Sequence, residues 1–75
     1  MRQLVEYIAK SLVDNPNEVE IRQVEGEQSI ILELHVAPDD MGRIIGKQGH
    51  IARAIRVLLK AAGARQGKRV MLEII

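Results

Sequence analysis

The sequence predicts an α+β domain in which a three-stranded mixed sheet carries three helices on one face. Three observations carry that expectation. Apolar residues recur at every third or fourth position near the N-terminus and again in the second half of the chain, which is helical spacing. They alternate with polar residues in three other segments, which is the spacing of half-buried strands. Two helical segments separate the second strand from the third, and such a crossover lets those strands lie parallel and adjacent. At 75 residues the chain has room for one domain with a single modest core.

Each element follows from its residues. From Arg2 to Val13, Leu4, Ile8 and Leu12 form a stripe at i, i+4 and i+8, with Val5 beside it. Asn15-Pro16 ends that helix, because the residue before proline avoids helical dihedrals. Val19 and Ile21 alternate with Glu18, Glu20 and Arg22 as a first strand, and Val24 falls out of phase at its end. Glu25 to Gln28 reads as a turn. Ile30, Leu32, Leu34 and Val36 then share one face of a second strand, with Glu33 and His35 on the other, so the pair forms an antiparallel hairpin. In Ala37-Pro38-Asp39-Asp40, proline suits the first helical position and two acids favour the positive end of the helix dipole, as caps. The short helix they start runs through Ile45, and Gly46 interrupts it. A longer helix from about His50 to Ala62 has Ile51, Ile55, Leu58 and Ala62 as its apolar stripe. Arg53, Arg56 and Lys60 line another face, which reads by default as solvated, and Gly63 serves as C-terminal cap. Gly63 to Lys68 is a flexible basic loop. Val70, Leu72 and Ile74 define the last strand, within Arg69 to Ile75.

Composition removes several function classes. The chain has no cysteine, hence no disulfide scaffold, thiolate metal site or cysteine nucleophile. No apolar run approaches the ~20 residues of a membrane span, and the first residues lack a signal-peptide core. The expectation is a cytoplasmic protein with no membrane partner. The net charge is +1, which taken as a total excludes a strongly basic arm or an acidic tail. The total hides a split: Met1 to Asp40 carries a balance of −6, and Met41 to Ile75 one of +7. Such asymmetry marks a polyanion-facing side.

The informative segment is Arg43-Ile44-Ile45-Gly46-Lys47-Gln48-Gly49-His50-Ile51. Two glycines flank two polar residues between a short helix and a longer one. The glycines allow a sharp turn and close approach of a ligand backbone. The following helix turns its N-terminal N–H groups and positive dipole end toward the loop, a natural phosphate site. Lys47 adds a mobile charge and Gln48 a hydrogen-bonding amide, while Arg43, His50 and Arg53 extend the positive surface.

This motif, Ile44-Ile45-Gly46-Lys47-Gln48-Gly49 between two helices after a strand, resembles that of the KH domain family. The helix-strand-strand-helix-helix-strand order resembles its type II, prokaryotic form, and the resemblance covers essentially all 75 residues. It implies a single KH domain over residues 1–75 that binds single-stranded RNA through a GxxG loop clamping about four nucleotides. It implies that bases lie on an aliphatic floor drawn from Ile44, Ile45, Ile55 and Val70, and that base edges meet the main chain of the last strand. Gly63 to Lys68 becomes the variable loop bordering the groove, with Arg65 and Lys68 toward phosphates on the far side. Ala52 departs from the larger aliphatic residue of many KH domains, which widens or flattens the groove. Tyr7 is the single aromatic residue, so the ring-stacking platforms of other RNA-binding folds are absent. The resemblance further implies a bacterial homodimer, or pairing with another KH-domain protein, and a role in post-transcriptional regulation or as an RNA chaperone.

Other readings have less behind them. A phosphate-binding P-loop needs four residues between its glycines and a hydroxyl after the lysine; Gly42 and Gly46 enclose three, and Gln48 replaces the hydroxyl. A dinucleotide fingerprint fails because Ile44 stands where its first glycine belongs. Asp39 and Asp40 are adjacent rather than facing, and His35 and His50 lie far apart with no metal-ligand cluster. No catalytic residue, metal or cofactor is expected. The alternative of a different class is a protein–protein assembly module with incidental RNA contact, working through Ile31, Met71 and Ile75 on the outer face of the sheet.

Overall fold

The computed structural model describes all of residues 1–75. Its elements are α1 (Arg2–Leu12), β1 (Glu20–Glu25), β2 (Ser29–His35), α2 (Met41–Ile45), α3 (His50–Arg65) and β3 (Arg69–Ile74). Single 3₁₀ turns occupy Pro16–Glu18, Pro38–Asp40 and Lys47–Gly49. The sheet order is β1-β2-β3, with β1 antiparallel to β2 and β2 parallel to β3, the mixed sheet that the crossover predicts.

The central strand organises the core. Ile30, Leu32 and Leu34 point to one face of the sheet, and there they meet Val5 and Ala9 of α1, Ile44 of α2, and Ile55 and Leu59 of α3. Val70 and Leu72 of β3 and Ile21 of β1 complete the same cluster. All three helices therefore cover one face. Each fully buried leucine contributes about 1.5–3 kcal/mol relative to exposure, so this one-sided layer carries most of the stability of a chain this small. On the other face the register aligns Val24, Ile31 and Met71 side by side across the three strands. Val24, out of phase with the core, is thus a residue of that outer row.

Two helical stripes differ from the sequence expectation. In α1, Val5 and Ala9 are buried while Leu4 is exposed. In α3 the buried residues are Ala52, Ile55, Leu59 and Gly63, not Leu58 and Ala62. Positions 52, 55, 59 and 63 span an arc of about 80° at 100° per residue, and the expected stripe is an overlapping arc that shares Ile55. The structure uses the arc containing the smallest residues, because these let the helix lie close on the sheet. Leu58 remains 53% exposed and Val57 beside it 62%.

Gly63 is therefore a packing residue rather than a cap. The helix continues through it to Arg65, and the reversal falls at Gly67, which has φ +69°. The Gly63 carbonyl accepts the N–H groups of Gln66 and Lys68, each at 2.9 Å. A Cβ on Gly63 would stand 2.5 Å from the Lys68 carbonyl oxygen and 2.7 Å from Val70 Cγ2. Overpacking of this kind costs about 1–3 kcal/mol. Gly63→Ala is expected to lower the melting temperature by about 5–15 °C in thermal unfolding followed by circular dichroism. An unchanged melting temperature would show that α3 can lift off the sheet freely.

Candidate functional site

The loop between α2 and α3 is a backbone device. Helix α2 closes with the Gly46 N–H donating to the Gly42 carbonyl at 2.8 Å. Gly46 then takes φ +77°, and a Cβ there would lie 2.6 Å from Ile51 Cγ1. The turn closes with the Gly49 N–H donating to the Gly46 carbonyl at 3.1 Å. Gly49 has φ +76°, and Gln48, at φ +58°, is the one residue other than glycine with positive φ. Left-handed backbone at a residue with a Cβ is uncommon and points to function more often than elsewhere. The result turns the Lys47 and Gln48 side chains outward and exposed. No side chain caps the start of α3, whose His50 N–H donates to the Lys47 carbonyl within the turn.

A groove opens from this loop. Its mouth is lined by Ile45, Gly49, Ala52, Arg53, Arg56 and Ile74. Beyond Arg56 it continues as a hollow of about 610 Å³ between α3 and β3, bordered by Lys60, Ala64 and Lys68 and by Arg69 to Glu73. Gly46, Lys47, Gln48, Gly49 and His50 thus gather at one end, with Ile45 as an aliphatic wall at 39% exposure. Ala52 is buried at the mouth and leaves it shallow.

The structure corrects several expected contacts. Ile44 is 0% exposed, since its side of α2 faces the core, and it offers no surface to a ligand. Arg43 is exposed, but its Nη2 pairs with Asp14 Oδ2 at 3.0 Å. Lys68 Nζ pairs with Glu25 Oε2 at 2.6 Å, and the lysine holds the Glu25 carboxyl below its ordinary pKa. Arg65 stands on the last turn of α3, because the helix outlasts its expected end, and lines neither part of the groove. Two acids of the negative half, Asp14 and Glu25, therefore reach cations of the positive half. Lys47, Arg53, Arg56, Lys60, Arg65 and Arg69 have no carboxylate within 4.0 Å. Three groove residues were missed as such: Arg56, Lys60 and Arg69. The signal for the first two was the straight i+4 row Ala52, Arg56, Lys60, Ala64, which borders the buried arc of α3; Arg69 starts the strand beside it.

Asp40 was expected to cap its own helix and makes no such bond. Its side chain, 1% exposed, turns back instead to the residues after α1. It accepts the Asp14 N–H at 3.0 Å, the Asn15 N–H at 3.1 Å and the Asn15 side-chain amide at 3.0 Å. These bonds, led by that from the Asp14 N–H, hold the Asp40 carboxyl below its ordinary pKa against the opposing effect of burial. They tie the α1–β1 connection to the start of α2, the helix that delivers the glycine loop.

The α-β-β-α-α-β order, the parallel β2–β3 pair and the Gly46–Gly49 turn between α2 and α3 define a type II KH domain. The model of the KhpA/KhpB KH domain matches residues 2–74, and the chain belongs to that family. Curated relatives named RNA-binding protein KhpA include that of Clostridium acetobutylicum, 65% identical over 75 residues. Those of Caldanaerobacter subterraneus subsp. tengcongensis and Clostridium perfringens are 61% and 60% identical. In each case the alignment covers 100% of both chains. No solved structure matches the chain significantly.

The Asp40 bonds set a pH dependence. A carboxyl whose pKa is lowered by folding contributes stability that is present above the unfolded value, about 3.9, and is lost as pH falls through the folded value. Asp40→Ala is expected to melt about 5–10 °C below wild type near pH 7. Below about pH 4 the two curves should converge. A gap undiminished at pH 2 would assign the loss to packing rather than to the charged carboxylate.

Proposed function

We propose that this chain binds single-stranded RNA in the groove between α3 and β3, with the Gly46–Gly49 loop holding the sugar-phosphate backbone. The observation that carries the reading is the loop itself: Lys47 and Gln48 are presented outward by positive-φ backbone at the uncapped start of α3. The names of the relatives support it. Gly46 and Gly49 shape the loop, while Lys47, Gln48 and the first amides of α3 meet phosphate oxygens. His50 and Arg53 stand beside them. Arg43 and Lys68 contribute less, because each already has a carboxylate partner. Arg65 adds charge from outside the groove. Bases lie against Ile45 and the aliphatic side of β3, with Ile44 supporting the wall from beneath. The function is binding, in the bacterial cytoplasm, with a role in RNA-level regulation or as an RNA chaperone.

A clamp on about four nucleotides gives modest affinity by itself, and pairing of two domains raises it by avidity. The partner is a second copy or another KH-domain protein. A specific observation favours such assembly: Val57 and Leu58 lie exposed side by side on α3, in a hollow that His50, Arg53 and Ala54 also line.

Lys47→Asp/Gln48→Asp places two negative charges where phosphate would sit and leaves the core untouched. Fluorescence anisotropy with a labelled oligoribonucleotide is expected to show at least about a tenfold loss of affinity. For wild type, log K should fall with log salt at roughly −0.7 per phosphate neutralised. Wild-type affinity in the folded double variant would remove the loop from the interface. For assembly, Leu58→Asp is expected to halve the mass seen in sedimentation equilibrium while the far-ultraviolet dichroism stays native; an unchanged mass would place the contact elsewhere.

A further inference from the structure

Strand β3 is an open edge of the sheet, and one side chain guards it. The Arg69 N–H donates to the Gln28 carbonyl and the Ile75 N–H to the Leu34 carbonyl. Alternate residues from Arg69 to Ile75 thus bond to β2, so the N–H and C=O groups of Val70, Leu72 and Ile74 face away from the sheet. At Leu72 the carbonyl accepts two bonds from Arg56, from Nε and Nη2, each at 3.4 Å. Two charged donors share one acceptor there, at distances well beyond the ~2.7–2.9 Å of a good charge-assisted bond. Arg56 has no carboxylate partner and stands where the two parts of the groove meet. Its planar fork is held in place but poorly satisfied.

A guanidinium fork is best matched by two acceptors side by side. Guanine presents such a pair, O6 and N7, on one edge. Cytosine presents N3 and O2. Adenine sets a donor amine beside N7 and N1, and uracil sets an N–H between its two carbonyls. We propose that Arg56 is the specificity-determining residue of the groove, exchanging its long, shared bonds to the Leu72 carbonyl for the paired acceptors of a guanine or cytosine. The contact leaves that carbonyl free to accept an amino group of the same or a neighbouring base. This inference rests on the RNA-binding reading of the groove and adds to it the identity of the base.

The test uses the full chain and four labelled eight-nucleotide probes, adenosine throughout except for a central G, C, U or A. Wild type is expected to bind the G or the C probe about tenfold or more tighter than the A and U probes. Arg56→Lys keeps the charge and loses the fork, so the preference should fall to within about twofold of unity. Arg56→Gln should abolish the preference too. Central 7-deazaguanosine, tested on wild type, separates the two sources: loss of preference assigns guanine through N7, and a C preference assigns cytosine. Equal wild-type affinity for all four probes, or a preference that survives in both variants, overturns the proposal. If that equal binding is abolished by Lys47→Asp/Gln48→Asp, the RNA reading stands and only the role of Arg56 falls. If wild type binds none of the probes, the RNA reading fails first.

Discussion

The close seating of α3 on the β2–β3 pair is the constraint on which the rest of the molecule depends. It is made possible by Ala52 and Gly63, which place almost nothing between the helix and the strands, and it is secured by Ile55 and Leu59 against Leu32, Leu72 and Val70. A helix seated this way has little freedom to tilt. Its N-terminus must emerge beside Ile74 and its C-terminus beside Val70, so the groove acquires both a width and a direction. The Gly46–Gly49 turn is then the short path by which α2 can enter α3 without disturbing that seat. Gly46 shows the same economy of space, since a Cβ there would strike Ile51.

Electrostatics follow from the same geometry. The net charge of +1 conceals a divided chain, but folding does not leave the two halves apart. Asp14, positioned by the buried Asp40, neutralises Arg43, and Glu25, at the end of β1, neutralises Lys68. The cations left without acidic partners include Lys47 at the loop, Arg53, Arg56 and Lys60 along α3, and Arg69 at the start of β3. The positive surface is accordingly narrower than the sequence balance implies. It follows one helix and the strand beside it instead of both rims. Salt screens exposed pairs readily, so the paired cations add little to any long-range attraction of a polyanion.

The sequence carried the element order, the mixed sheet and the loop, because each rests on a local signal: alternation, a proline, or two glycines at fixed spacing. It was a poorer guide to which face of a helix is buried. In α3 the arcs through Leu58 and through Leu59 are both apolar, and only the need for small residues against the sheet decides between them. The role of Asp40 was hidden for a related reason. Its partners, Asp14 and Asn15, lie some 25 residues away in sequence, and an acid at a helix start has a sufficient local explanation as a cap. Ile44 looked like a groove residue because Ile45 beside it is one; a single 100° step separates core from wall.

The site divides into parts that do different work. In the proposed complex the glycine turn meets what every nucleotide shares, a phosphate and a sugar, and contacts of that kind fix position without carrying sequence information. It is built from backbone conformation, so glycine spacing announces it. Discrimination needs a side chain whose donors or acceptors match one base edge better than another, held rigidly enough that a mismatch costs something. In a groove without aromatic rings, the planar group available at its centre is the guanidinium of Arg56, and the rigid reference beside it is the main chain of an open edge strand. Such a pair cannot be recognised from a motif, because it requires α3 and β3 to be set against each other first. The position of Arg56 in the row Ala52, Arg56, Lys60, Ala64 makes it a groove residue as soon as Gly63 and Ala52 are seen to face the sheet.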